Sequence, residues 1–205
     1  YKGDYIKKYF LDYNIINSDL EIDFQSDKTT LNKSYAEKWK IILKDTGKHS
    51  MTGGRLLNLR PLLEDEDSFM LTYGDGVSDI DINSLLEFHN NHNKIATISA
   101  VRPPARFGTM VFNGDMVKEF EEKPQTGEGW INGGFFVFRK QIFNYLKDDQ
   151  TILEREPLEK LALDNELMAY KHDGFWQAMD TLRDKINLEE AWESGTPEWK
   201  SWIDK

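Results

Sequence analysis

Hydrophobic positions recur along the 205 residues with spacings that predict different elements. Ile6, Tyr9, Phe10 and Tyr13 fall at i, i+3, i+4 and i+7, the stripe of a helix with one buried face. Leu20, Ile22 and Phe24 then alternate with charged residues, as on a half-buried strand, and the polar residues 27–38 read as a loop. Residues 39–43 are apolar apart from Lys40 and predict a second strand. Phe69, Met70, Leu71 and Tyr73, broken only by Thr72, have the composition of a strand buried on both faces, inside a sheet rather than at its edge. Ile82, Leu85, Leu86 and His89 share a helix face behind capping side chains at 79–83. Residues 95–101 are rich in β-branched types and predict another strand. This alternation predicts an α/β fold, a Rossmann-like, mostly parallel mixed sheet flanked by helices.

The alternation breaks at Arg102-Pro103-Pro104-Ala105-Arg106-Phe107-Gly108, a stiff loop bearing two arginines. Beyond it, Asn113-Gly114 between two apolar runs predicts an antiparallel hairpin over 109–121. A glycine-rich stretch leads to a buried strand at 131–138. Short helices are expected around Ile142 and Leu158, and a strand at 167–170. Phe175 and Trp176 begin a short aromatic strand, and Thr181 to Asp184 has the spacing of a capping box. Trp192, Trp199 and Trp202 mark a C-terminal segment that packs or oligomerises. No internal repeat interrupts residues 1–205, which read as one domain.

Composition narrows the partners. With 39% hydrophobic and 13% aromatic residues the chain buries a full core, and no apolar run approaches the ~20 residues of a membrane span. A formal charge of -10 repels nucleic acid, whereas a few local Lys or Arg suffice for a small phosphorylated ligand. The absence of Cys removes disulfides and thiolate metal sites, and the start has no signal-like character, which fits the cytoplasm. The four His show no i, i+4 metal pairing.

The candidate chemistry gathers at strand ends. Asp75, between Gly74 and Gly76, follows the apolar strand, where α/β sheets hold ligands and where a carboxylate can hold a cation against a phosphate. Taken alone, Gly-Asp-Gly is also an ordinary turn. Asp79 joins it or caps the next helix. Asp180 follows the short aromatic strand at a helix entrance, where an N-cap role is the plain alternative. The pair Gly53-Gly54 opens a helix whose free N–H groups suit an anion or a base edge, and a flexible turn is the other reading. Two Asp, Lys123 after the hairpin and the glycine-rich strand start at Asn132 are the parts that a metal-assisted phosphoryl or nucleotidyl transfer needs.

Six motifs carry a resemblance in the same order: Met51-Thr52-Gly53-Gly54-Arg55-Leu56, Tyr73-Gly74-Asp75-Gly76-Val77-Ser78-Asp79, Arg106-Phe107-Gly108, Phe120-Glu121-Glu122-Lys123-Pro124, Ile131-Asn132-Gly133-Gly134-Phe135-Phe136, and the run from Phe175 to Asp184. Together they resemble the sugar-phosphate nucleotidyltransferases, in particular their cytidylyltransferase branch, over nearly the whole chain. The resemblance implies that CTP reacts with α-D-glucose 1-phosphate to give CDP-glucose and pyrophosphate, for dideoxyhexose and O-antigen sugars, with Mg²⁺ as cofactor. It implies Asp75 and Asp180 as metal ligands, Asp75 and Lys123 as catalytic, and Glu122, Lys123, Asn132, Gly133 and Gly108 as substrate contacts. Gly53, Gly54 and Arg55 would hold the nucleotide, and a homo-oligomer is expected.

One departure stands beside these matches. The family opens with a strand and a glycine-rich loop bearing an Arg and a Lys that grip the triphosphate, and residues 1–205 show no counterpart. The 205 residues alone are therefore expected to bind without turnover. A non-catalytic sugar-nucleotide binding or assembly module remains the alternative. A glycosyltransferase is a weaker third reading, opposed by Glu122-Lys123-Pro124 and by the run from Trp176 to Asp184.

Overall fold

A computed structural model describes residues 2–103, 109–121, 129–195 and 197–201. The chain forms two compact units, residues 1–50 and 51–205.

In the first unit, helix α1 (Gly3–Ile16) leads into β1 (Ser18–Asp23) and β2 (Lys28–Ser34), an antiparallel pair. The helix forms as predicted, yet none of its residues is buried, and Leu11 is 79% exposed. Strand β2 corrects the loop expected over 27–38. A turn makes the pairing possible: Asp23 Oδ1 accepts from the Gln25 N–H at 2.8 Å, and Asp27 takes a left-handed φ of 53°. Thr29, Thr30 and Leu31 then supply strand-favouring side chains opposite Ile22, Glu21 and Leu20. Residues 39–43 enter no strand pairing among the described residues, a second correction, since apolar composition alone supplies no ladder partner. Trp39 stacks on Tyr13 instead, with centroids 5.5 Å apart.

In the second unit, α2 (Thr52–Asn58) and α3 (Arg60–Leu63) precede β3 (Ser68–Thr72) and the three-residue β4 (Gly76–Ser78). Helix α4 (Ile82–His92) follows, capped by Asp81, which accepts from the N–H groups of Asn83 and Ser84 and so satisfies two of the helix's open donors. Then come β5 (Ala96–Val101), the hairpin β6 (Thr109–Asn113) and β7 (Met116–Glu121), β8 (Ile131–Arg139), and a 3₁₀ turn at Lys140–Tyr145. Helix α5 (Glu156–Leu163), β9 (Leu167–His172), β10 (Trp176–Ala178) and α6 (Leu182–Glu193) complete the unit. The expected hairpin closes through Gly114 at φ 61°.

The main sheet runs β3-β8-β5-β9. It is mixed, as expected of this α/β class, with parallel pairing at β5–β9 and antiparallel pairing at β3–β8 and β5–β8. Alternation along β8 divides the core between its two faces. Phe136 and Phe138 pack with Leu56, Ile142, Leu153 and Leu161, whereas Val137 turns to Ile80 and Leu85 on the α4 side. Each such buried side chain contributes roughly 1.5–3 kcal/mol. Strand β3 lies at the sheet edge, which corrects the reading of 69–73 as an interior strand. Among the described residues its one ladder neighbour is β8, so Phe69 and Leu71 pack on the core while Met70 is 39% exposed.

Under α4, Thr97 Oγ1 lies 2.8 Å from His89 Nδ1 and 2.7 Å from His92 Nε2. The Lys94 N–H donates to His92 Nδ1, so a neutral His92 carries its proton on Nε2 and donates to Thr97. Thr97 in turn donates to His89 Nδ1. The His89 proton therefore sits on Nε2, which is buried without a hydrogen-bond partner. Burial, then the charge of Arg139, push the His89 pKa down to about 4.

Candidate active site

Because β3 and β5 both run antiparallel to β8, and β9 parallel to β5, the carboxyl ends of β3, β5 and β9 share one sheet edge with the start of β8. Asp75, Arg102, Asp173 and Asn132 all follow or begin strands at that edge. It is the edge where α/β sheets place ligands.

A short antiparallel ribbon brings the two acidic candidates together. Strand β10 pairs with β4 in the register Trp176↔Ser78, Gln177↔Val77 and Ala178↔Gly76, and the Met179 N–H donates to the Asp75 carbonyl at 2.7 Å. Asp75 and Asp180 thus flank the same end of one ribbon, although 105 positions (180 − 75) separate them in sequence. Both are exposed. The cap role weighed for Asp180 belongs to its neighbour. Thr181 accepts from the Asp184 N–H while Asp184 accepts from the Thr181 N–H, a complete capping box on α6. The α4 cap belongs to Asp81, and Asp79 Oδ1 lies 2.7 Å from His172 Nε2, beside Gly174, where a Cβ would fall 2.6 Å from that oxygen.

The β8 start is built by close approach. A Cβ on Gly133 would fall 2.7 Å from Ser99 Oγ and Val101 Cγ1, and one on Gly134, at φ 80°, would fall 2.9 Å from the Tyr73 ring. Asn132 Oδ1 accepts from the Gly134 N–H at 2.8 Å, and the Gly133 carbonyl accepts from Trp176 Nε1 at 2.8 Å, which ties the β8 start to the ribbon. The Tyr73 hydroxyl donates to Glu154, whose other oxygen accepts from Thr52 Oγ1 at 2.6 Å. Burial, then the Glu154 carboxylate, push the Tyr73 phenol far above the ordinary tyrosine range, so it remains a neutral donor.

The glycine pair at the α2 start meets protein. A Cβ on Gly54 would fall 2.3 Å from the Asp149 carbonyl oxygen, and one on Gly53 would fall 2.9 Å from that of Thr151. The Gly54 N–H donates to the Thr151 carbonyl, and the Met51 N–H to that of Asp149. Both glycines are buried and Arg55 is half-buried. Gly108, Glu122 and Lys123 lie outside the described residues, as do Arg106 and Pro124.

Sequence reasoning did not single out Glu154, because an acidic residue in an irregular segment carries no periodic or motif signal. It also missed Trp130, whose ring has the Arg102 guanidinium 4.5 Å and the Lys171 ammonium 5.6 Å from its centroid. Asp173 pairs with that arginine at 3.2 Å. Among the described residues no cluster of three or more His, Asp or Glu side chains forms a closed metal cage, and no helix is long and apolar enough to cross a membrane.

Comparison with known proteins places this geometry. The nucleotidyl transferase family profile matches residues 13–195. The glucose-1-phosphate cytidylyltransferases of Salmonella typhimurium and Salmonella typhi are each 45% identical over 202 residues, covering 98% of this chain and 79% of theirs. Among solved structures, HddC from Yersinia pseudotuberculosis shares the fold with a TM-score of 0.57 at 22% identity, over 94% of this chain and 75% of its own. The profile and the extent of these alignments show that the chain belongs to the nucleotidyl transferase family.

Proposed function

We propose that the protein forms CDP-glucose and pyrophosphate from CTP and α-D-glucose 1-phosphate. One observation carries the reading: the β4–β10 ribbon brings Asp75 and Asp180 to one end, on the ligand edge of the sheet. The names of the Salmonella relatives supply the substrates.

Two carboxylates facing solvent fit Mg²⁺, which takes one or two protein carboxylates and completes its shell with water and phosphate oxygens. When bound, the cation neutralises phosphate charge. The chain's own residues do the rest. Asn132 and the Gly133-Gly134 backbone wall the sugar pocket, Glu122 accepts from sugar hydroxyls, Lys123 holds the sugar phosphate, and Gly108 is a further substrate contact. Gly53, Gly54 and Arg55 line the nucleotide side, the glycines by letting the 149–151 backbone close under α2. A glucose 1-phosphate oxygen then attacks the α-phosphorus of CTP in line, the bond to the bridging oxygen breaks, and pyrophosphate leaves with that electron pair. No covalent enzyme intermediate forms.

Phosphorylated substrates of this kind place the reaction in the cytoplasm. The exposed Tyr5, Leu11, Ile16 and Phe24 of the first unit are apolar surface of the kind a homo-oligomer covers. Pyrophosphate release is the test, measured on the protein with CTP, glucose 1-phosphate and Mg²⁺. Turnover that is lost in Asp75→Asn and Asp180→Asn is expected. Undiminished turnover in both variants would overturn the assignment.

A further inference from the structure

We propose that Glu154 is a positioning residue of this site, a strut that joins the Tyr73 hydroxyl at the end of β3 to the Thr52 hydroxyl at the start of α2 and thereby holds the Gly74-Asp75 turn. The inference rests on the reading of Asp75 as a cation ligand and adds two residues to it.

Both carboxylate oxygens of Glu154 are engaged. One accepts from the Tyr73 hydroxyl and the other from Thr52 Oγ1 at 2.6 Å. Thr52 Oγ1 also accepts from the Leu153 N–H at 3.0 Å, closing a small ring that fixes the carboxylate against the α2 start. Hydrogen bonds to an ionised acceptor are roughly twice as strong as neutral ones, so this junction is stiff for its size.

Tyr73 is held at every part of its length. Its backbone N–H donates to the Gly134 carbonyl at 3.2 Å, and its ring fills the space that a side chain on residue 134 would need. It packs edge-on against Phe136, with centroids 5.6 Å apart.

The turn itself has little of its own to hold it. Gly74 is exposed, and among the described residues nothing beyond its own chain neighbours lies within 4 Å of where its Cβ would be. Asp75 is therefore located from two sides: by the Met179-to-Asp75 backbone hydrogen bond of the ribbon, and by Tyr73 two residues before it. Losing the strut frees one of those two supports and leaves a half-buried phenol without its acceptor. Residues that orient a metal ligand typically change metal affinity by about 10–100-fold when removed, and a support one residue away from the ligand belongs at the lower end.

Mn²⁺ binding to the full chain, followed by electron paramagnetic resonance without nucleotide, tests this, with melting curves alongside. Asp75→Asn should abolish binding. Tyr73→Phe and Glu154→Ala should each weaken it about tenfold. The double variant should be no weaker than either single, because the two residues act as one unit. Glu154→Gln, which keeps an acceptor for Tyr73 and offers an amide donor to Thr52, should restore affinity to within about twofold of the parent. Parent-like affinity in Tyr73→Phe, with Asp75→Asn inactive in binding, would overturn the strut and leave the cation site standing. Parent-like affinity in Asp75→Asn would overturn the site and the strut together. If Glu154→Ala does not fold, Tyr73→Phe, which keeps the ring, decides alone.

Discussion

Replacing Gly54 with Ala decides what the glycine pair at the start of α2 is for. Two effects oppose each other. Gly54 lies within a helix, where Ala is favoured by about 1 kcal/mol. Against this, the new Cβ would fall 2.3 Å from the Asp149 carbonyl oxygen and 2.6 Å from its carbonyl carbon. Those are backbone atoms, pinned by hydrogen bonds from Met51 and Gly54 to residues 149 and 151, so no flexible side chain can swing away. Overpacking of this kind costs typically 1–3 kcal/mol and occasionally more, and the depth of this overlap puts it at the upper end, so the clash wins. The net loss of about 2 kcal/mol corresponds to a fall in melting temperature of roughly 4–8 °C for a domain of this size. Thermal unfolding followed by circular dichroism measures it, with Gly74→Ala as the control, since that Cβ meets nothing within 4 Å. CTP affinity by calorimetry completes the comparison. A Gly54→Ala variant that melts with the parent and loses CTP would refute the packing account and return the glycine to direct nucleotide contact.

His89 supplies a second prediction: its folded pKa of about 4 lies below the ordinary 6.5, so the neutral form is favoured by folding, and this stabilisation is complete above about pH 6.5. It should fade as pH falls from 6.5 to 4, by about 3 kcal/mol in all, with the positive charge of Arg139 and the neighbouring His92 opposing protonation; a pH series of urea unfolding in which Thr97→Val and parent lose stability over the same window, and His89→Leu does not, checks it. Lys123→Ala should weaken glucose 1-phosphate binding by roughly 1.5–3 kcal/mol, the range for hydrogen bonds to charged groups, and equal affinities in calorimetry would contradict its role.

Much of the second unit is legible in the sequence because its elements are long enough to show their period. Helix α4 shows its stripe of Ile82, Leu85, Leu86 and His89, and Thr181 to Asp184 announces the capping box that the structure contains. The first unit reads less well. A strand is a property of two segments, and nothing local in residues 39–43 supplies the partner, just as nothing in 28–34 advertises its pairing with β1. The same limit explains β3. Its composition describes what its side chains touch on the core side, and says nothing about how many ladders its backbone enters.

The site was legible in its residues and not in its geometry, and the reason lies in the size of the element that assembles it. Strands β4 and β10 have three residues each, too short for any periodicity, and one is the continuation of a glycine turn. Asp75 and Asp180 look like two separate strand ends when each is read against its own neighbours. Once the ribbon pairs, they become neighbours, and the alternatives left by local reading fall to other residues: Thr181 takes the cap, and His172 takes Asp79. Trp176 then ties the ribbon to the Gly133 carbonyl, and Tyr73 ties β3 to Gly134, so the ribbon that carries the acidic pair and the residue before the Gly74-Asp75 turn are held to consecutive residues of β8. That shared anchorage on β8 gives a physical basis for concerted placement. A shift in Gly133-Gly134 would move both the acidic pair and the start of β8, so if these are the cation and sugar contacts proposed above, side chains at either glycine, each with a contact under 3.0 Å to its surroundings, should impair both kinds of binding together.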